Sequence, residues 1–332
     1  MSSTISRREA LAAFGGGAAL AMTGAMMGVP GAKAADTALP LLHVGVIPIF
    51  SVAPHYAADK FGWFKAEGID TTTKPVQGGA VGIPALASGS FDVLYANCIS
   101  VLTALERGID LRVIAEATTI GEQPPDADAI FIRAADKDKL KSGKDLEGKI
   151  IAVNAKFDLM WLVMQGYVQK TGGDVNKVTY REVPVPSMLD ALKSGQVDAA
   201  LVLDPFMTIA MHDPNYALMG WPSSMVMPNM PSSLWVTSGQ TADTKTDQVR
   251  AYVRGFMKGV AWYNSHLGTP EFFDLVASYS KTDVALLQKM YAAKQPTEIS
   301  TPVMKQLVSV VKEYGLLKTD LDIESKIFKM PA

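Results

Sequence analysis

The sequence predicts an α/β protein built from two similar lobes, and two observations lead to that prediction. After residue 40, short apolar runs rich in β-branched residues alternate with stretches of helical periodicity. This alternation is typical of βαβ units and a mainly parallel sheet. The phrase A-L-x-S-G-x-apolar-D begins at Ala85 and again at Ala191, 106 residues later. One structural corner built twice is the simplest account of that repeat.

Composition excludes several classes of protein. The 332 residues are 48% hydrophobic and 19% charged, which is an ordinary globular balance with ample material for a core. The formal net charge of −2 provides no basic excess for binding nucleic acid. Cys98 is the single cysteine, so an intramolecular disulfide is impossible and stability must come from packing.

The first 34 residues resemble an export signal of the twin-arginine type. Arg7 and Arg8 precede a weakly apolar stretch from Leu11 to Val29, and a small-x-small site follows at Ala32-Lys33-Ala34. The alternative is a membrane anchor, but five glycines dilute the apolar run. We therefore expect cleavage after Ala34 and a soluble periplasmic protein.

The elements of the first half follow from local patterns. Apolar, β-branched runs predict strands at residues 41–49, 70–76, 91–96 and 111–117. Helical stretches between them predict helices at 53–66, 82–89 and 99–107. Gly68 is a plausible stop for the first of these helices.

The second half repeats this scheme and then becomes helical. Strands are predicted at 149–154, 177–183 and 197–203, and helices at 157–171, 187–195 and 205–211. Beyond residue 240, Thr269-Pro270 and Thr301-Pro302 are typical of helix starts. A helical apolar face then ends before Gly315 and contains Val303, Leu307, Val310, Val311 and Tyr314.

The repeated phrase also locates a candidate cleft. In each copy the glycine suits a helix C-terminus, and the aspartate can satisfy backbone donors in the turn that follows. Open α/β sheets bind ligands at the carboxyl ends of their strands. If two such lobes face each other, the residues directly after each copy line one cleft.

Four stretches together resemble one family of proteins. They are YAADKFGWFKAEGID, VQGGAVGIPALASGSFDV, KDLEGKIIAV and ALKSGQVDAALVLDPF, in that order. They resemble the periplasmic solute-binding proteins of ABC importers, in the nitrate, sulfonate and taurine group. The resemblance covers about residues 42–265, and Asp204 stands where that family usually has Glu.

The resemblance implies a type II periplasmic-binding-protein fold that closes on a solute by hinge motion. We place the two crossings near residues 122–130 and 228–236. Lobe one is then 36–123 plus 234–332, and lobe two is 124–233. The implied partners are a small solute and a membrane permease with its ATPase, and a monomer is expected.

Candidate ligand-binding residues in lobe one follow predicted strands. Phe50 and Ser51 follow the first strand, and His55 lies on the next helical turn, where the alternative is an exposed loop histidine. Backbone N–H groups at Gln77 and Gly78 could hold a polar ligand, although the sequence lacks a phosphate-loop motif. The remaining candidates are Asn97, Cys98 and Trp235, with inert packing as the alternative for Cys98.

Candidate residues in lobe two favour a ring-bearing or partly cationic solute. Sulfonate binders of this family have small residues where this chain has Lys156, Phe157 and Asp158, after Asn154. A carboxylate at a helix start opposes a bound anion, and Phe157 and Trp161 can share one face. The alternative is that Asp158 is an N-cap and both aromatic side chains are core. Asp204 and Phe206 follow the second copy of the repeat.

The sequence provides little basis for an enzyme. It contains neither an HExxH metal motif nor a GxSxG nucleophile elbow, and no cofactor or metal is expected. The main enzymatic alternative is the fungal thiamine-pyrimidine synthase, which shares the fold. That family carries a cysteine-rich run, which a chain with one cysteine cannot supply. An exported sensor or chaperone-like protein is a third possibility.

Overall fold

The computed structural model describes residues 38–76 and 78–331. The predicted export signal and Gln77 lie outside the described residues. Within them, no helix is long and apolar enough to cross a membrane.

The chain forms two five-stranded sheets. The first contains β1 (Leu41–Val46), β2 (Asp70–Pro75), β3 (Val93–Asn97), β4 (Leu111–Thr119) and β10 (Pro231–Ser238). The second contains β5 (Asp128–Arg133), β6 (Ile150–Val153), β7 (Thr179–Glu182), β8 (Ala199–Leu203) and β9 (Tyr216–Gly220).

The two sheets have equivalent topologies. Their strand orders are β2-β1-β3-β10-β4 and β7-β6-β8-β5-β9. In sheet one β1 pairs in parallel with β2 and β3, whereas β10 is antiparallel to β3 and β4. In sheet two β6 pairs in parallel with β7 and β8, whereas β5 is antiparallel to β8 and β9. The expected mainly parallel sheets are therefore mixed, because the strand that follows each crossing enters its sheet in the reverse direction.

Helices flank both sheets. Those before the second crossing are α1 (Ala53–Lys60), α2 (Trp63–Ala66), α3 (Gly79–Ala87), α4 (Cys98–Glu106), α5 (Leu159–Lys170), α6 (Met188–Lys193), α7 (Phe206–His212) and α8 (Pro222–Val226). Those after it are α9 (Gly239–Thr244), α10 (Thr246–His266), α11 (Pro270–Ser280), α12 (Val284–Leu287) and α13 (Thr301–Glu313). The helix expected at 53–66 is two helices, because Gly62 adopts φ +73° and ends the first.

Helix starts in the C-terminal region follow the sequence closely. The side chain of Thr269 accepts the Phe272 N–H and caps α11, as predicted. The cap of α13 is Ser300 rather than Thr301, one residue earlier than expected. Leu307 and Val311 are buried on the predicted apolar face of α13, and Gly315 has φ +73° beyond its end.

The repeated phrase forms the same corner in both lobes. Gly89 and Gly195 adopt φ +78° and +75°, which explains why both copies have glycine there. Asp92 accepts the His43 N–H at 2.8 Å, and Asp198 accepts the Ile150 N–H at 2.9 Å. Each aspartate thus ties the start of one strand, β3 or β8, to its parallel neighbour.

The crossings join the lobes through two paired segments. The first lies between β4 and β5, and the second between α8 and β10. Ile120 donates its N–H to the Met230 carbonyl at 2.8 Å, so the two segments run side by side. On the lobe-two side, the hydroxyl of Ser223 contacts both oxygens of buried Asp128, and Ser224 donates to buried Asp126.

The core is continuous between the lobes. One apolar cluster includes residues of α3 and α4, of sheet two and of α13. A second cluster lies between the other face of sheet one and helices α1 and α10. Gly166 of α5 lies against Tyr314, where a Cβ atom would be 2.9 Å from the phenol oxygen. The chain end after α13 also contacts α4, because Glu106 accepts the Thr319 N–H at 2.8 Å.

Candidate functional site

The carboxyl edge of sheet one presents a group of hydroxyls around Tyr95. β1 and β3 end at this edge, β10 begins there and β4 ends there, so their terminal residues meet. Burial raises the pKa of Tyr95, while the nearby hydroxyls of Ser233, Ser51 and Thr118 act in the opposite direction. The Thr118 hydroxyl is buried close to the Tyr95 hydroxyl, but it makes no hydrogen bond of normal length and angle to any described residue. Ser51 was predicted from the sequence as a ligand-binding residue, whereas Tyr95, Thr118 and Ser233 were not.

Gln295 joins the same edge from the C-terminal helical region. Its side-chain amide donates to the Ser51 carbonyl at 2.7 Å, and its backbone N–H donates to Asn264 at 2.8 Å. The residue is 5% exposed, and its side-chain oxygen Oε1 has no partner in the described structure. A buried acceptor without a donor is costly, so this oxygen is a candidate for contact with a solute.

The edge of sheet two carries the predicted aromatic pair. The Phe157 and Trp161 rings lie 5.0 Å apart at 49°. Trp161 is half-buried and also meets Tyr180 edge-on at 6.1 Å. Phe157 is 66% exposed and has φ +62°, a region that bulky residues rarely occupy. The alternative that both rings are core is therefore wrong for Phe157.

Asp158 caps α5, as the alternative interpretation held. Its carboxylate accepts the Leu159 N–H at 2.6 Å and the Asn154 side-chain amide at 2.9 Å. The preceding loop is fixed because Glu182 accepts the Lys156 N–H at 2.8 Å. A carboxylate has lone pairs beyond these two bonds, so capping does not exhaust its capacity to accept. The arrangement places a negative charge beside an exposed aromatic face.

Asp204 and Phe206 follow the end of β8, which is another strand of lobe two. Asp204 accepts both the N–H and the hydroxyl of Thr208, at 2.9 and 2.6 Å. Burial raises the pKa of Asp204, and the two hydrogen bonds from Thr208 act in the opposite direction. Phe206 is half-buried against the core.

Cys98 is the first residue of α4 and belongs to the apolar core. The residue is completely buried at the start of α4. Burial raises the pKa of its thiol, and the carboxylates of Asp158 and Glu116 raise it further. The side chain therefore stays a thiol, which agrees with inert packing and makes it a poor nucleophile. Asn97, directly before it, caps α4 by accepting the Ser100 N–H at 2.8 Å.

Besides Cys98, two predicted site residues lie in the core instead of the cleft. His55 is 0% exposed. It therefore neither borders a ligand nor lies in an exposed loop. Trp235 is also 0% exposed and packs 5.6 Å from the His55 ring and 5.2 Å from that of Phe256. The local sequence does not reveal this, because α10, which encloses both rings, lies far away in the chain.

The remaining predicted residues are near the edge of sheet one. Phe50 and Ser51 are half-buried, and the Phe50 ring stacks on that of Phe272 at 5.5 Å. Gly78 precedes α3 with φ +152°, a conformation that favours glycine. Among the described residues, no three His, Cys, Asp or Glu side chains form a group that could hold a metal ion.

Comparison with known proteins identifies both a family and a fold. A family model described as NMT1/THI5 like matches residues 49–266. No curated protein matches the sequence significantly. Among solved structures, the alkanesulfonate-binding protein SsuA from Xanthomonas axonopodis pv. citri, bound to MOPS, superposes with a TM-score of 0.68 at 18% identity. That match covers 87% of this chain and 98% of the SsuA chain.

Two further structures superpose equally well. The periplasmic aliphatic sulphonate binding protein SsuA from Escherichia coli has a TM-score of 0.69 at 15% identity, covering 87% of this chain and 97% of that one. The periplasmic nitrate-binding protein NrtA from Synechocystis PCC 6803 has a TM-score of 0.68 at 11% identity, covering 86% and 84%. At these identities the likeness demonstrates the two-lobed binding-protein fold.

Proposed function

Because the chain belongs to the NMT1/THI5-like family, we propose that it captures a small organic solute between two lobes for an ABC importer. The proposal rests most directly on the placement of unsatisfied or exposed side chains at the facing sheet edges. Lobe one contributes Thr118 and Gln295, whose buried oxygens have no partner among the described residues. Lobe two contributes exposed Phe157. A few polar groups with an aromatic face are typical of small-molecule sites.

The proposed mechanism is capture without chemistry. One lobe binds the solute first, and bending at the two crossings brings the other lobe over it. The close approach of Gly166 of α5 to Tyr314 after α13 is the kind of interaction that holds the lobes together. The lobe boundaries, 36–123 plus 234–332 and 124–233, and the permease with its ATPase are parts of this proposal.

The solute we favour is planar and nitrogen-bearing, such as a pyrimidine-like or aromatic compound. The exposed Phe157 ring provides a stacking face, and Asp158 beside it accepts N–H donors. The strained backbone at Phe157 supports a binding role, because such conformations cluster at ligand sites.

An aliphatic sulfonate or nitrate is the second candidate. It is favoured by the structural neighbours named for those ligands. A helix N-terminus is a common anion site, and α5 begins at this cleft. Asp158, however, occupies the first N–H group of α5 and adds a negative charge there. That arrangement opposes an anion, which is why the sulfonate ranks second.

An enzyme of the thiamine-pyrimidine synthase type is disfavoured by the available side chains. That reading requires a reactive histidine near the first strand and several cysteines. His55 is enclosed in the core and Cys98 is buried as a thiol. The family name alone does not separate binding proteins from enzymes.

The proposed location is outside the cytoplasm. It rests on the resemblance of residues 1–34 to a twin-arginine signal cleaved after Ala34. Treatment of exporting cells with a twin-arginine pathway block, or replacement of Arg7 and Arg8 by lysine, should retain an uncleaved precursor inside the cell. Normal processing of the double-lysine variant would contradict this assignment.

A thermal-melt screen tests the proposed function. The panel contains pyrimidines, aromatic amines, aromatic acids, aliphatic sulfonates and nitrate. A ligand at about 100 times its Kd stabilises a protein by roughly 2.7 kcal/mol, so the Tm should rise by several degrees. We expect the largest rise with a nitrogen-bearing ring. No rise with any compound, together with no small molecule released when the purified protein is denatured, would contradict solute capture.

A further inference from the structure

The Gln295 side chain is held in one orientation at the carboxyl edge of sheet one. Its amide nitrogen Nε2 donates to the Ser51 carbonyl oxygen at 2.7 Å. A backbone carbonyl can only accept a hydrogen bond, so the nitrogen of the amide must face Ser51 and Oε1 must face away from it. The residue is 5% exposed, and Oε1 is buried without a hydrogen-bond partner among the described residues. The chain thus presents a fixed and buried acceptor.

The backbone of Gln295 is fixed as firmly as its side chain. Its N–H donates to Oδ1 of Asn264 at 2.8 Å, and its carbonyl accepts from Nδ2 of the same side chain at 2.9 Å. Asn264 lies on α10, which packs against α1, and α1 directly follows the turn that contains Ser51. Gln295 is therefore built into the helical scaffold of lobe one, and Oε1 has a defined position.

Two donors close to Gln295 are engaged elsewhere. The Tyr263 hydroxyl donates to the Ala293 carbonyl at 3.2 Å, and the Asn264 amide donates to the Gln295 carbonyl. A buried acceptor without a donor lowers stability by the desolvation of its oxygen, and native proteins contain few such groups. A donor on a bound solute would satisfy Oε1.

The segment that carries Gln295 follows the lobe-one side of the proposed cleft. At Tyr291 this segment reaches the first crossing, where a Cβ atom on Gly121 would lie 3.9 Å from the phenol oxygen. At Gln295 it reaches the turn Phe50–Val52, which comes after β1 and also contacts β4. Open α/β sheets bind ligands at the carboxyl ends of their strands. Oε1 therefore lies where a captured solute is expected.

Gln295 differs from the hydroxyl groups at this edge in the solute atoms that it can bind. The hydroxyls of Ser51 and Thr118 can both donate and accept, so they suit either kind of solute atom. Oε1 can only accept, so the solute atom opposite it must carry a hydrogen. An oxygen of a sulfonate, nitrate or carboxylate at this point would meet a like partial charge instead.

Building on the proposed solute capture, we propose that Gln295 is a specificity residue that selects solutes with a neutral N–H or O–H donor. Amides, lactams and pyrimidine bases belong to this class. The donor of the solute binds Oε1, while the Ser51 carbonyl keeps the amide in its orientation. This requirement disfavours anions for a reason that is independent of the charge of Asp158.

Matched pairs of planar compounds test the requirement for a donor. Uracil and benzamide carry N–H groups, whereas the N,N′-dimethyl derivative of uracil and N,N-dimethylbenzamide have the same rings without them. Protein expressed from the full coding sequence and purified in soluble form is titrated with each compound in a calorimeter. Wild type should bind uracil or benzamide at least about tenfold more tightly than the methylated partner.

Gln295→Met provides the decisive comparison, because methionine has a similar size and no amide. It should reduce the preference for the N–H compound by about tenfold, while the affinity for the methylated partner stays within about threefold. The added methyl groups have the same bulk in both titrations, so the change in the ratio reports the hydrogen bond. Gln306→Met, at an exposed glutamine of α13, is the matched control and should keep the wild-type preference.

A second variant covers the case in which Gln295→Met does not fold. Gln295→Asn keeps an amide, but its side chain is one methylene shorter and cannot reach both the Ser51 carbonyl and the solute. It should show the same selective loss of affinity for the N–H compound.

Three outcomes would overturn the inference. They are an unchanged preference in the variant that folds, an equal loss of affinity for both members of a pair, and a wild type that binds neither uracil nor benzamide. An equal loss would assign Gln295 a purely structural role through Ser51. Solute capture is judged separately, because a sulfonate or other compound that raises the Tm in the melt screen would leave capture intact and refute only the requirement for a donor.

Discussion

The Tyr252 hydroxyl lies 3.1 Å from Nδ1 of His55, inside the core of the first lobe. The other ring nitrogen of His55 lies 2.8 Å from the Thr73 hydroxyl, and Tyr56, Phe64 and Trp235 surround the imidazole. Burial lowers the pKa of His55 from 6.5 to about 3. The histidine is therefore neutral in the folded protein at all but very acidic pH.

This burial predicts a loss of stability in acid. Between pH 6.5 and about 3 the unfolded chain binds a proton at His55 and the folded chain does not. Stability therefore falls as pH decreases through this range, by up to about 1.4 kcal/mol per pH unit. His55→Gln should show a shallower fall in the free energy of unfolding, measured with urea at several pH values. An equal change of unfolding free energy with pH in wild type and variant would contradict the assignment. His212→Gln, at an exposed histidine, is the control.

Asp128 should make the free energy of unfolding depend on pH in the opposite direction to His55. Burial and the charge of Asp126 raise its pKa from 3.8 to about 7, although the Ser223 hydroxyl lies within hydrogen-bond distance of both of its oxygens and favours the charged form. Between these values the folded chain holds the proton more tightly, so stability decreases as pH rises from about 4 to 7. Asp128→Asn should remove this decrease and stabilise the protein at pH 8 by about 1–3 kcal/mol. A variant less stable than wild type at pH 8 would refute the assignment, with exposed Asp243→Asn as the control.

Asp92 and Asp198 should each stabilise their own lobe by a similar free energy. Each accepts a backbone N–H of the neighbouring strand, and each also meets a basic side chain, Lys245 at 2.6 Å and Arg133 at 3.2 Å. Removing a hydrogen-bonded carboxylate leaves its donors unpaired, so Asp92→Ala and Asp198→Ala should each cost about 1–3 kcal/mol. The double variant should lose close to the sum in urea unfolding, because the sites are independent. A large loss at one site and none at the other would contradict the equivalence of the two corners.

Whether the exposed Phe157 of lobe two contributes to stability can be tested without any ligand. Phe157 has φ +62°, which glycine adopts without steric cost, and its side chain contributes little buried area. Phe157→Gly should therefore keep or raise the Tm. Trp161→Gly, within the first turn of α5, should lower it, because it removes a packed ring from a helix. A clear drop in Tm for Phe157→Gly would assign that ring a structural role.

Much of the fold was predictable because its determinants are local. The repeated S-G and aspartate indicated two equal corners, and the structure contains them at Gly89, Gly195, Asp92 and Asp198. The reversal of β5 and β10 was not predictable, because an antiparallel neighbour depends on where the chain returns after each crossing. The break at Gly62 was missed because a glycine inside a helical pattern can be tolerated.

The site was only partly predictable, because exposure depends on distant residues. His55 follows a strand just as Phe157 does, yet the first is covered by Tyr252 of α10 and the second is open to solvent. Gln295 contacts Ser51 across 244 residues of sequence. No short motif indicates such a partner, whereas capping by Asp158 and Asn97 follows from their position before helices.

Calorimetric titration with the compound that raises the Tm most in the melt screen tests the central claim most directly. Solute capture between the lobes predicts one molecule bound per chain, with affinity reduced at least about tenfold in Phe157→Ala. The matched variant Leu218→Ala, at an exposed apolar residue of β9, should bind as wild type does. Absence of stoichiometric binding, or full affinity in Phe157→Ala, would contradict the account.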